Sequence, residues 1–139
     1  MANFYSDNDD LQFYVSEWID WEPLVRLTEY DFRAPDGFAD TDEATAFYKE
    51  LLNLVGGFVA DEIAPKAAAI DREGLGFEKG VVSFPAELDA IFEQIKGLEL
   101  HGMCIPRELG GMNCPLLLYL INTEIFSRAD VSIAAHHGF

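Results

Sequence analysis

Only two cysteines, Cys104 and Cys114, occur in 139 residues. They form no CxxC pair and supply no framework for a disulfide-stapled secreted domain. Each reads as a small, free core residue in a reducing cytoplasm. The three histidines lack the spacing of metal ligands. His101 is isolated, and the adjacent His136 and His137 diverge by about 100° on a helix, so no metal site is expected. No run of about 20 apolar residues is present, and no membrane-spanning helix is expected. The opening "MANFYSDNDD" lacks the basic start and apolar centre of a secretory leader, and a cytoplasmic location is expected. Bases are scarce: Lys and Arg number 9 against 25 Asp and Glu, for a net charge of −16. Such a surface repels nucleic acid and anionic lipid. There is no glycine-rich phosphate loop of the GxGxxG kind, no internal repeat and no low-complexity tract.

What is present is apolar and helical. Half of the residues are hydrophobic, enough for one domain with a real core. Residues 1–40 form an acidic, aromatic-rich extension. Residues 41–139 form the helical body. In the extension Leu11, Tyr14, Trp18 and Trp21 recur at helical steps. This predicts a short amphipathic helix, capped by Asp9 or Asp10, that docks its aromatic stripe on the body. Pro23 ends that helix or begins another, and "RAPDGFAD" at 33–40 reads as a linker.

Asp40 and Glu43 mark the next helix start. The stripe Phe47, Leu51, Leu54 or Val55, Phe58, Val59 and Ile63 continues past Pro65 into Ala67–Ile70, which predicts one long kinked helix. Glycines in "DREGLGFEKG" stop it. A second helix follows, capped by Ser83 with Pro85 in its first turn, and buries Leu88, Ile91, Phe92, Ile95 and Leu98. Pro106 keeps it from running on, and Gly110 and Gly111 turn the corner "CIPRELGGMNC". Asn113 caps a third helix, "PLLLYLINTEIFSRAD". Its first half is apolar on most sides, so it is expected to be central and buried on most sides. Asp130 caps a fourth helix of about two turns, where the sequence stops. An apolar rod needing neighbours, followed by so short a helix, reads as part of a larger protein that lacks its cover and is prone to self-association.

Five short motifs stand in order from residue 63 onward: Ile63-Ala64-Pro65, Asp71-Arg72-Glu73, Phe84-Pro85-x-Glu87-Leu88, Pro106-x-Glu108-x-Gly110-Gly111 and Ser127-Arg128-Ala129-Asp130. Together they resemble the N-terminal helical domain of the flavin-dependent acyl-CoA dehydrogenases over about residues 44–139. The extension resembles one found in larger bacterial members. The resemblance implies an all-α fold, here truncated in its last helix, and an enzyme completed by a middle β-domain and a C-terminal bundle. It implies α,β-dehydrogenation of an acyl-CoA to the 2-enoyl-CoA, with FAD as cofactor in the full-length enzyme and a second flavoprotein as electron acceptor. It places the catalytic glutamate and most flavin contacts outside this chain, so no catalytic residue and no bound FAD are expected here. Glu99 and Glu124 are candidate bases, and both read as structural carboxylates. The resemblance assigns this domain one wall of the acyl-chain pocket, at Ala134, Ala135 and Gly138. The same small residues also suit close helix packing. An acyl-CoA oxidase or another flavoprotein of this fold fits the residues equally. A non-enzymatic acidic module that binds protein partners explains the charge and the aromatics but not the five motifs.

Overall fold

Asn8 opens the first helix, its side chain accepting a hydrogen bond from the Leu11 N–H at 3.2 Å. In the computed structural model, which describes residues 2–138, α1 covers Asp9–Phe13. Asp9 and Asp10 lie in its first turn rather than at the cap, where their charge suits the positive end of the helix dipole. A wide π-turn over Tyr14–Trp18 follows. Its extra residue shifts the buried stripe, so Leu11 and Val15 go into the core while Tyr14 and Trp18 stay 47% and 69% exposed. The expected four-member stripe is therefore split. Trp21 alone of the two tryptophans is buried, with its indole N–H donated to the Val15 carbonyl at 2.8 Å and its ring 5.4 Å from that of Tyr48. Helix α2, Trp21–Thr28, begins there with Pro23 in its first turn, where a missing N–H costs nothing.

The first 40 residues pack into the same core as the rest. Tyr5, Leu11, Val15, Trp21 and Val25 join one buried cluster with Tyr48, Leu52, Val55, Leu118 and Ile125. Asn3 reaches the Asn53 carbonyl at 2.9 Å, and a side chain on Gly56 would strike Asn3 and Tyr5. Beyond α2 the backbone takes left-handed angles at Tyr30, Asp31 and Phe32 (φ 51, 55 and 60°), a conformation that non-glycine residues avoid. That tight loop sets Glu29 against Arg107, 78 residues away in sequence.

Asp40 caps α3, Thr41–Phe58, by accepting from the Glu43 N–H at 2.8 Å. The Glu43 carboxylate accepts in return from the Ala39 N–H at 2.6 Å. Ala44, Tyr48, Leu51, Leu52 and Val55 form its buried face. A π-turn over Val59–Ile63 leads without a break into α4, Ala64–Glu73. The wide turn lies just before Pro65 and makes room for its ring and missing N–H, so the long interrupted helix is as expected.

The glycine-rich stretch after α4 is a small antiparallel hairpin rather than a plain stop. Strands β1 (Gly76–Glu78) and β2 (Val81–Ser83) pair Phe77 with Val82. Ser83 is thereby drawn into a strand and does not cap α5, Ala86–Gly97, whose first residue follows Pro85 directly. Leu88, Ile91 and Ile95 are buried as expected, while Phe92 and Leu98 are half-buried. Helix α5 ends at Gly97, with Glu99 left-handed at φ 58°, well before Pro106. In the corner Gly110 does take a left-handed angle, φ 87°. Gly111 is needed for room, since a Cβ there would strike the Ile105 carbonyl. Asn113 is not a cap. It is itself left-handed at φ 57° and donates its amide to the Thr28 carbonyl at 2.8 Å.

Helix α6, Leu116–Ala129, is one-sided. Leu118, Ile121, Asn122, Ile125 and Phe126, at steps of three and one, face the core. Leu116 and Leu120 are 65% and 54% exposed. The expectation of burial on most sides is thus corrected: the chain covers one face of this helix and leaves an apolar face in solvent. Asp130 caps α7, Val131–Gly138, by accepting from the Ser132 and Ile133 N–H groups at 2.8 and 3.1 Å. No helix among the described residues is long and apolar enough to cross a membrane.

Candidate functional site

Helix α7 lies along α6. The segment between α5 and the corner runs past the far end of α7, and the three leave an open groove of about 410 Å³. Its walls include Leu100, Met103, Ile105 and Leu116. Its polar groups are His101, Cys104, the Tyr119 hydroxyl and His137, and Gly138 borders it as well. The Tyr119 hydroxyl donates to the Gly138 carbonyl at 3.0 Å and ties the end of α7 to α6. The bulk of the lining is apolar, as in sites for small organic ligands, with few polar groups to set orientation.

The three small residues of α7 have different surroundings. Gly138 is on this groove. Ala134 is 2% exposed and belongs to the core cluster. Ala135 is exposed. Glu99 and Glu124 are exposed too, and neither borders this groove. Cys104 borders the groove with its thiol pushed up by partial burial. Cys114 is buried, and burial, reinforced by the nearby Cys104, raises it to about 12. Both thiols are free and stay protonated, so neither is an activated nucleophile.

The least expected feature is His137. It is 5% exposed and stacks on Phe126 with ring centroids 4.6 Å apart. The His101 ring meets it edge-on at 5.1 Å. Burial above all, with His101 second, holds its pKa down to about 4, so the ring is neutral at physiological pH. The amide Nδ2 of the fully buried Asn122 lies 3.3 Å from its Nε2. With that amide donating, Nε2 accepts and the ring proton sits on Nδ1. Neither His137 Nδ1 nor Asn122 Oδ1 has a partner among the described residues. A buried polar atom left so costs about 1–3 kcal/mol. Sequence reasoning took His137 only as half of a poor chelating pair. The available signal was Asn122, a lone amide on the otherwise apolar stripe of α6.

A second cavity of about 260 Å³ lies between the end of α4, the hairpin and α7, lined by Ile70, Leu75, Phe84 and His136. His136 is held there between the Phe84 and Phe92 rings at 5.1 and 4.5 Å. The two histidines thus face different surroundings. No group of three or more His, Cys, Asp or Glu side chains converges on a metal position among the described residues.

A flavin dinucleotide needs a cluster of cations or free N–H groups for its diphosphate. Arg26, Arg33, Lys66, Lys79, Lys96 and Arg107 are each engaged with a carboxylate, Arg128 lies over the Phe4 ring beside another cavity, and the linings of the two cavities described above include no Lys or Arg. The residues present do not by themselves fit FAD.

The model of the acyl-CoA dehydrogenase N-terminal domain matches residues 45–139. The 2-methylacyl-CoA dehydrogenase of Solanum tuberosum mitochondria is 33% identical over 90 residues, 65% of this chain and 20% of that protein. The mitochondrial isovaleryl-CoA dehydrogenase of Arabidopsis thaliana is 33% identical over 97 residues, 70% of this chain and 21% of that protein. The 3-methylmercaptopropionyl-CoA dehydrogenase of Ruegeria pomeroyi is 28% identical over 123 residues, 88% of this chain and 19% of that protein. That last match is too long to be confined to residues 41–139 and reaches into the N-terminal segment. The chain spans about a fifth of the length of these curated relatives. Its helical fold, its ordered motifs and the match over 45–139 agree, and the chain belongs to the acyl-CoA dehydrogenase family, whose N-terminal domain it carries.

Proposed function

We propose that this chain is the N-terminal part of an FAD-dependent acyl-CoA dehydrogenase and forms part of its acyl-chain pocket. The reaction is the α,β-dehydrogenation of an acyl-CoA thioester to the 2-enoyl-CoA. The observation that carries the reading is the apolar groove bordered by Gly138 on a domain of this family. Leu100, Met103, Ile105 and Leu116 exclude water from an acyl tail there, and Gly138 leaves it room. Ala135, exposed on the same helix, extends the small-residue side of the pocket, while Ala134 keeps α7 close to the core. The catalytic carboxylate and the flavin site belong to the rest of the polypeptide. So does the cover for the exposed Leu116, Leu120 and Trp18. The enzyme passes its electrons to a second flavoprotein, assembles as a homo-oligomer and works in the cytoplasm, where Cys104 and Cys114 remain reduced.

The test uses the complete polypeptide. It purifies with flavin absorbance and reduces an artificial electron acceptor on addition of acyl-CoA. A colourless preparation that FAD does not reconstitute would favour a protein-binding module, and oxygen consumption in place of acceptor reduction would make it an oxidase. Leu116→Trp and Ala135→Leu shift the preference toward shorter acyl groups. Unaltered chain-length preference in both rejects the pocket role.

A further inference from the structure

One wall of the groove, Met103, Cys104 and Ile105, belongs to the corner. From there to Pro115 the backbone is irregular apart from a short 3-10 turn at Arg107–Leu109, so the wall has no long element of its own to stiffen it. It is held from outside instead. The returning limb is bonded to it: the Met112, Asn113 and Cys114 N–H groups donate to the Gly102, Ile105 and Met103 carbonyls at 2.9, 2.9 and 2.8 Å. The corner is in turn tied to the N-terminal segment. The Asn113 amide reaches the Thr28 carbonyl at 2.8 Å, and Arg107 grips the fully buried Glu29 with both prongs, at 2.8 and 2.7 Å. The anchoring side is shaped for that grip. Three left-handed residues, Tyr30, Asp31 and Phe32, follow Glu29, and a Cβ on Gly37 would strike its carboxylate. Backbone in so unfavourable a form persists only where its surroundings hold it. The groove lining includes no residue of 1–40, so the segment can act on a bound acyl group only through the corner.

We propose that Arg107 is a positioning residue for acyl-group selection: held by Glu29, it fixes the corner wall, and the N-terminal segment thereby sets which acyl tails fit. This deepens the pocket reading above and rests on it. A pocket discriminates between tails that differ by a methylene only if its walls stay where they are. The two-pronged grip on a buried carboxylate fixes both distance and angle, which a single flexible contact does not. Asn113 adds a second tie beside it.

The test uses the complete enzyme and a series of acyl-CoAs that differ only in tail length and branching. Glu29→Leu combined with Arg107→Met removes the grip without leaving a buried charge. In that variant the ratio of kcat/KM between the best and the poorest substrate should fall about tenfold, the lower end of what a pocket gains from one well-placed methylene. The fall should come from a raised KM for the best substrate. Arg107→Lys, which keeps the charge but not the two prongs, should fall between. A readout independent of turnover is maleimide labelling of Cys104, which is exposed on the wall in question. The enoyl product should slow it in the wild type, and the double variant should label about threefold faster as the wall opens more often. An unchanged substrate ratio, with the product still shielding Cys104, overturns the proposal and leaves the pocket reading standing. So does an equal drop in kcat for every substrate with KM unaltered, which is what a merely structural joint would give. If the product does not shield Cys104 and Leu116→Trp leaves chain-length preference untouched, the pocket reading fails and the proposal with it. Should the double variant misfold, Arg107→Lys and Asn113→Gly each loosen one tie and carry the same comparison, the glycine keeping the left-handed angle at 113.

Discussion

Two buried polar pairs divide this molecule into regions of different character. Where the N-terminal segment meets the corner, Glu29 is fully buried and takes two hydrogen bonds from Arg107, at 2.8 and 2.7 Å. The guanidinium lies 4.9 Å above the Phe38 ring. Both carboxylate oxygens are served, and the planar fork matches them. Between α6 and α7, Asn122 and His137 share one contact of 3.3 Å and leave two atoms unpartnered. The first pair locks two distant segments together. The second is half-satisfied and borders a groove. Complete satisfaction marks a structural joint, whereas the second pair leaves two buried polar atoms without a partner among the described residues.

The comparison is broken most severely from the Arg107 side. Arg107→Met leaves the Glu29 carboxylate buried without its partner and should lower the free energy of unfolding of the chain by about 3–5 kcal/mol in urea titrations. Glu29→Leu combined with Arg107→Met should cost less than Arg107→Met alone, because the buried charge goes with its partner. A double variant as unstable as the single one would mean that the pair is not the joint described.

Replacing the half-satisfied pair should act the other way. His137→Phe keeps the stack on Phe126 and removes an unpartnered buried nitrogen but strips the Asn122 amide of its acceptor; combined with Asn122→Leu, which removes that amide as well, stability at pH 7 should hold or rise by about 1 kcal/mol. His137→Phe should also change the acid limb. Burial holds the His137 pKa at about 4, below its ordinary 6.5. The unfolded chain therefore takes up a proton that the folded chain refuses, and stability is lost as pH falls from 6.5 toward 4. The difference between wild type and His137→Phe should widen across that window, by on the order of 1–3 kcal/mol, and stay constant above it. A constant difference at every pH would show that His137 is not held neutral by burial.

The smallest effect belongs to the open side of α6. Leu120 is 54% exposed, so Leu120→Lys should change stability by no more than about 0.5 kcal/mol. It should nevertheless reduce self-association of the chain in sedimentation runs at rising concentration, because Leu120 shares an apolar patch with Tyr14, Trp18, Ile19 and Leu117. Unaltered association would move the sticky surface elsewhere, to the exposed Phe77, Val81 and Val82 of the hairpin.

Much of the scaffold was readable in advance where its signals are local. Asp40 and Asp130 cap the helices they precede because a carboxylate two or three residues from a free N–H needs no distant partner. Leu51, Val55, Val59 and Ile63 lie inside as their spacing requires, and the wide turn before Pro65 keeps a long helix going where a break was the alternative. Readings failed where a neighbour competed. Ser83 was claimed by a strand. Asn113 was claimed by the Thr28 carbonyl, 85 residues away in sequence. The Trp18 stripe was displaced by a π-turn, which changes helical register without changing composition.

By itself, the sequence determined the helical class, the kinked long helix, the acidic surface and the family, because caps, periodicity and short ordered motifs act over a few residues. Only the tertiary structure decided that Glu29 meets Arg107, that Asn122 meets His137 and that one face of α6 stays wet. Such pairings depend on which distant surfaces come into contact, and burial turns an ordinary glutamate into a joint and holds an ordinary histidine neutral only after that contact is made.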